Sequence, residues 1–143
     1  MTGTFRVPAV RAVIIHEGKF LLAQHHNHLP ETIGKWGLPG GRIEATDADL
    51  VAALRRELQE EFDMTADIIG FVAMYTYRER AHQIFLVKPH SIDFRVNTNE
   101  ILGTVWLTLP EVVDWHQKGQ LHTGFELAAI KASMARYSKV LDF

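Results

Sequence analysis

The chain has 143 residues, 47% of them hydrophobic and 22% charged, a formal net charge of −2 at pH 7, and no cysteine. That length suits a single domain, 1–143, with a sizeable core. The missing cysteines exclude disulfides, thiolate zinc sites and cysteine nucleophiles, and the charge balance offers no basic excess for nucleic acid.

The opening segment MTGTFRVPAV lacks the long apolar stretch of a secretory signal. The longest apolar runs, such as Ala12 to Ile15, are far too short for a bilayer. The chain therefore reads as soluble and cytoplasmic, with no membrane association. Ala9 to His16 and Lys19 to Gln24 are apolar and flank Glu17-Gly18, a β-hairpin with a tight turn. His25 to Lys35 is polar, with Pro30 and Gly34, and is expected as a loop. His25, His26 and His28 share no spacing that fixes a coordination geometry, so a solvated loop is favoured over a metal cluster. Trp36 to Leu38 is expected as a short strand, ended by Pro39-Gly40-Gly41.

Asp47 and Asp49 both suit an N-cap for the helix that follows. Its apolar stripe is Val51, Leu54, Leu58 and Phe62. Glu57, Glu60 and Glu61 stand at i, i+3 and i+4, on one side of the helix beside that stripe. Each like-charge pair at this spacing costs an isolated helix roughly 0.2–0.5 kcal/mol. By themselves the three carboxylates fit a solvated face. With a glycine-rich turn just upstream they look like a site for a hard divalent cation.

Ile68 to Tyr77 and His82 to Lys88 are expected as strands joined by the charged turn Arg78-Glu79-Arg80. Ile92 to Val96 and Gly103 to Thr108 are further strand candidates. Pro110 opens a short helix to about Gln117, and Gly124 to Tyr137 is a final amphipathic helix. Hairpins mixed with crossovers point to an α+β fold, a mixed β-sheet packed by helices, rather than a doubly wound parallel sheet. Trp36, Tyr75 and Tyr77 suit nucleobase stacking and suit core or cleft-wall packing equally well.

Trp36-Gly37-Leu38-Pro39-Gly40-Gly41, followed by Arg56-Glu57-Leu58-Gln59-Glu60-Glu61, resembles the signature of the Nudix hydrolase family. Three departures stand out. The segment from Gly41 to Arg56 is one residue longer than the usual pattern. The intermediate glutamate is replaced, with Ala48 at the position counted back from Arg56 and Asp47 or Asp49 as stand-ins. Asp63 takes the place of the closing glycine, where a left-handed backbone is expected and aspartate is tolerated better than most residues.

The resemblance implies an α/β/α sandwich and hydrolysis of a phosphoanhydride in a nucleoside diphosphate linked to another group. It implies Mg²⁺, or Mn²⁺, held by Glu57, Glu60, Glu61 and the Gly41 carbonyl. It also implies Glu57 as ligand or base, Arg56 orienting a glutamate, and Glu44 acting through water on the substrate. Glu100 is a further acid by the same likeness and a plain surface acid by its position. A small nucleotide triphosphatase is the first expectation, and a homodimer is compatible, with no interface fixed. A ligand-sensing domain without turnover is the second reading. The related isomerase branch needs a cysteine, which this chain lacks.

Overall fold

The computed structural model describes residues 6–26 and 30–143; His28 and the first five residues lie outside them. Among the described residues, six strands and three α-helices follow in the order β1 (Ala9–His16), β2 (Lys19–His25), β3 (Gly40–Arg42), α1 (Leu50–Phe62), β4 (Ala66–Tyr77), β5 (Arg80–Pro89), β6 (Ile101–Thr108), α2 (Leu109–Gln117) and α3 (Glu126–Tyr137). The strand order is β4-β5-β1-β2-β6, with β3 also paired to β1. β1 and β5 run parallel, and every other pair is antiparallel. The expected mixed sheet is present.

Period-two alternation along β1 sets the two layers. Val10, Ala12 and Ile14 face Leu54, Leu58 and Phe62 of α1. Val13 and Ile15 face Val112 of α2 and Ala129 and Ile130 of α3. Burying each large apolar side chain contributes about 1.5–3 kcal/mol. Arg11 is the one charged residue in this alternation, and it marks where the core gives way to a cleft.

β1 pairs with β3 only over Ala9–Arg11 and with β2 only over Ile15–His16. The sheet therefore forks along that edge of β1. Glu17 and Gly18 both have positive φ, as a two-residue hairpin turn requires. Arg78 and Glu79 do the same between β4 and β5 without a glycine, at φ 50° and 64°.

Three expectations need correction. Trp36 to Leu38 is not a strand: Trp36 and Gly37 form isolated bridges to Leu121 and Ala23. The strand is Gly40–Arg42 instead, because Gly40, at φ 138°, passes so close to Val10 that a Cβ would lie 2.0 Å from its carbonyl oxygen. Ile92 to Val96 is not a strand either, since the Arg95 and Asn97 amides donate to the Phe62 and Glu61 carbonyls at the end of α1. The polar stretch from His25 is shorter than expected as loop, with His25 in β2 and a 3₁₀ turn at Pro30–Thr32. The caps of α1 resolve an open choice: Asp49 is the N-cap, and Asp63 is the left-handed C-cap at φ 49°.

Candidate active site

The cleft of about 710 Å³ opens at the fork, and its lining includes Arg11, Gly40, Gly41, Glu44, Glu57, Glu60, Glu61 and Glu100. A smaller cavity of about 210 Å³, near His16 and Trp106, holds no comparable cluster.

Helix α1 delivers the carboxylates because its apolar stripe fixes its rotation against the sheet. Glu57 and Glu61, one turn apart, lie at the inner edge of that stripe and are only 9% and 4% exposed. Glu60 points outward. Glu61 Oε1 accepts the Gly40 amide at 3.1 Å, and its Oε2 lies 3.1 Å from His25 Nε2. A Cβ on Gly41 would sit 2.6 Å from the Glu57 carboxylate, so only glycine lets the β3 backbone come this close to α1.

Arg56 is the hub of the outer rim. It makes paired contacts to Asp47 at 2.9 Å, reaches Glu57 Oε1 at 3.0 Å and Glu60 Oε2 at 3.1 Å, and lies 3.5 Å from Glu44. Asp47, the position counted forward from Gly41, is thus the acid that meets Arg56. Arg56 holds the Asp47 carboxyl well down, at about 2. Burial, and then the charge of Glu61, push Glu57 the other way, up to about 7.

Glu100 faces the same cleft from the segment before β6. Its pKa is raised, first by burial and then by Glu61 and Glu60. Among the three aromatic candidates, Tyr77 reaches the cleft. Trp36 packs against Trp115, and Tyr75 stacks on Phe125, so neither is brought to it.

Residues with no expected role also line the site. Arg11 donates to the Gly40 carbonyl at 2.8 Å and through Nε to His82 Nδ1 at 3.4 Å. That contact leaves the His82 proton on Nε2, which has no partner among the described residues. Burial first, then Arg11, depress His82 to about 3, so it is neutral. A charged residue inside an otherwise apolar strand is the signal that marks Arg11.

Among the described residues no three His, Asp or Glu side chains converge on one cation-sized point. Arg56 and His25 occupy the oxygens instead. The donors still fit a hard divalent cation: they are carboxylate and carbonyl oxygens, and the burial and the charge of Glu61 that together lift Glu57 are what a cation offsets.

The chain is similar to known proteins. A family model described as NUDIX domain matches residues 5–126. The CTP pyrophosphohydrolase of Escherichia coli (strain K12) is 30% identical over 111 residues, 76% of this chain and 81% of that protein. The uncharacterized Nudix hydrolase NudL of Salmonella paratyphi B is 49% identical over 107 residues, 71% of this chain. The matched region spans only 54% of that longer relative. The solution structure of the Escherichia coli ORF135 protein superimposes with a TM-score of 0.68 at 26% identity, covering 99% of both chains. With a family match over residues 5–126 and a relative 30% identical over most of both chains, the chain belongs to the Nudix hydrolases.

Proposed function

We propose that this protein hydrolyses a phosphoanhydride bond in a nucleoside di- or triphosphate derivative, with a divalent cation, Mg²⁺ or Mn²⁺, bound at α1. The observation that carries the reading is the buried Glu57–Glu61 pair held against the bare backbone of Gly40 and Gly41. Two adjacent carboxylates removed from water are costly unless a cation joins them.

Glu60, Glu61 and the Gly41 carbonyl would hold the cation, with Glu57 beside them. When bound, it neutralises the phosphate oxygens, polarises the phosphorus and acidifies water. Glu57 Oε1 takes the Arg56 N–H, while its Oε2 accepts none among the described residues. That free oxygen takes the proton as a water oxygen bonds to phosphorus and the bridging P–O bond breaks. The electron pair of that bond leaves with the departing phosphate. Arg56 is a positioning residue: it fixes Glu57 and Glu60 together and is itself anchored by Asp47. Glu44, Glu100 and Tyr77 line the same cleft.

The test is release of phosphate and pyrophosphate from nucleoside triphosphates, nucleotide sugars, dinucleoside polyphosphates and ADP-ribose, with Mg²⁺, with Mn²⁺ and with chelator. Glu61→Gln is expected to lower metal-dependent turnover by about 10²-fold or more, with the fold intact by circular dichroism. Equal turnover by the variant and the wild type would sink the assignment. A folded, metal-binding protein that cleaves nothing would favour ligand sensing instead.

A further inference from the structure

Strand β4 ends one side of the sheet, and its outer edge pairs with no strand among the described residues. An open edge invites another strand, and proteins usually blunt it with charge, proline or bulges. The first part of β4 is blunted in this way, with breaks in register between Ile68 and Gly70 and between Phe71 and Ala73. Residues 73–77 run in unbroken register with β5. Residues 68–77 contain no charged residue and no proline. The second part of the edge is therefore regular and undefended.

Its free backbone groups can be assigned. Arg78 and Glu79 form a two-residue turn with positive φ at both positions, so the flanking Tyr77 and Arg80 are a hydrogen-bonded pair. Pairs alternate along an antiparallel ladder. Tyr75–His82 and Ala73–Ile84 are then hydrogen-bonded pairs too, and Met74 and Thr76 turn their amides and carbonyls outward. No loop backbone among the described residues takes these groups. Farther back, by contrast, the Tyr137 hydroxyl donates to the Phe71 carbonyl at 2.6 Å and covers it. Met74 and Thr76 are both exposed residues, Met74 at 52%.

Two outward-facing residues on either side of one position match their own image. A two-fold axis through Tyr75 sets Met74 against Thr76 of the partner subunit, and each such pair can exchange both backbone hydrogen bonds. Charge agrees with this register. Phe71 and Glu79 stand at equal spacing on either side of Tyr75, so the axis brings the turn of one copy beside Phe71 of the other. The Arg136 guanidinium lies over that Phe71 ring, 6.0 Å from its centroid. Neither Arg136 nor Glu79 makes an ion pair among the described residues, whereas Arg78 is already met by Glu31.

We propose that this protein forms a two-fold homodimer by antiparallel pairing of residues 73–77 of β4, with Glu79 meeting Arg136 of the partner subunit on each side. The paired stretch is short, so the dimer is weak, with a dissociation constant in about the micromolar range. Tyr77 and Arg78 line the cleft, so one continuous sheet runs between the two cleft walls.

Sedimentation velocity from about 1 to about 500 μM chain tests this. The wild type is expected to pass from the 16.2 kDa monomer to twice that mass. Met74→Lys places a charge on the open edge and is expected to weaken association by about tenfold or more. Glu79→Arg is expected to weaken it by about tenfold, and adding Arg136→Glu to that variant to restore it. Circular dichroism checks the fold of each variant. A wild type that stays monomeric across the range overturns the proposal. So does a dimer indifferent to Met74→Lys, or a Glu79→Arg loss that Arg136→Glu leaves unrepaired. A ladder of higher species, as β4 docking on β6 of the next copy would give, overturns the closed dimer as well.

Discussion

Glu57 sits where burial and the neighbouring charge of Glu61 both oppose its ionisation, and its pKa rises to about 7. A carboxyl raised on folding favours the folded state below its ordinary pKa of 4.5, and that contribution is lost as pH climbs through about 7. The metal-free protein is therefore strained near neutrality at this residue. A ¹³C NMR titration of the Glu57 carboxyl should show a midpoint near neutral pH without metal, moving down when Mg²⁺ is added. An ordinary glutamate midpoint in both conditions would place Glu57 outside the charge cluster. Gly41 belongs to the same argument, because its missing Cβ is the space the Glu57 carboxylate occupies.

Helix α1 is the element on which the site depends. Its start is fixed by Asp49, whose side chain accepts the Ala52 amide at 2.8 Å. At its end Asp63 adopts the left-handed conformation, and its amide donates to the Gln59 carbonyl at 3.0 Å. A β-branched residue is poorly suited to that backbone. Asp63→Val is expected to lower unfolding free energy by about 1–2 kcal/mol relative to Asp63→Gly, measured by urea denaturation. Equal stability of the two variants would show that this cap does not hold the helix end. The helix, its apolar stripe and its cap were legible along the chain because each depends on residues within a few positions of one another. The choice between Asp47 and Asp49 was not, since it turns on where the Arg56 side chain reaches. Ile92 to Val96 misled for a related reason: its apolar pattern suits a strand, but its amides are claimed by the last carbonyls of α1.

The whole molecule decides the state of His82, which is 3% exposed beneath contributions from three elements. Phe125 lies beside its ring at 5.1 Å, Tyr77 meets it edge-on, and Arg11 donates to Nδ1. Burial, then the positive charges of Arg11 and Arg80 and the proximity of His122, hold its pKa down at about 3, against an ordinary 6.5. In that window the unfolded chain binds the proton and the folded chain does not. The stability this supplies is complete above about pH 6.5 and drains away as pH falls toward about 3. Its sign is opposite to that of Glu57. Replacing His82 with Asn should therefore flatten the loss of stability between about pH 7 and pH 4, followed by denaturant midpoints in metal-free buffer. Parallel pH curves for the two proteins would show that His82 is protonated in the folded state.

The amino-acid sequence determined the chemistry that depends on local spacing. Three carboxylates at helical intervals, a double glycine before them and Arg56 beside them point to the family and to the face proposed to hold a cation. Those relations survive any packing, because a helix fixes them within two turns. Among the described residues no helix is long and apolar enough to cross a membrane, as the short apolar runs require. Tertiary structure decided everything that needed two distant segments to meet. It turned Trp36 and Tyr75 into packing residues and left Tyr77 at the cleft. It drew Gly40 and Gly41 into β3, within reach of Glu61 and Glu57. It also set Arg11, Arg42 and Arg80 on one face from three different strands. Strand register creates that cationic face, and register is a relation between segments that no single stretch of the chain contains.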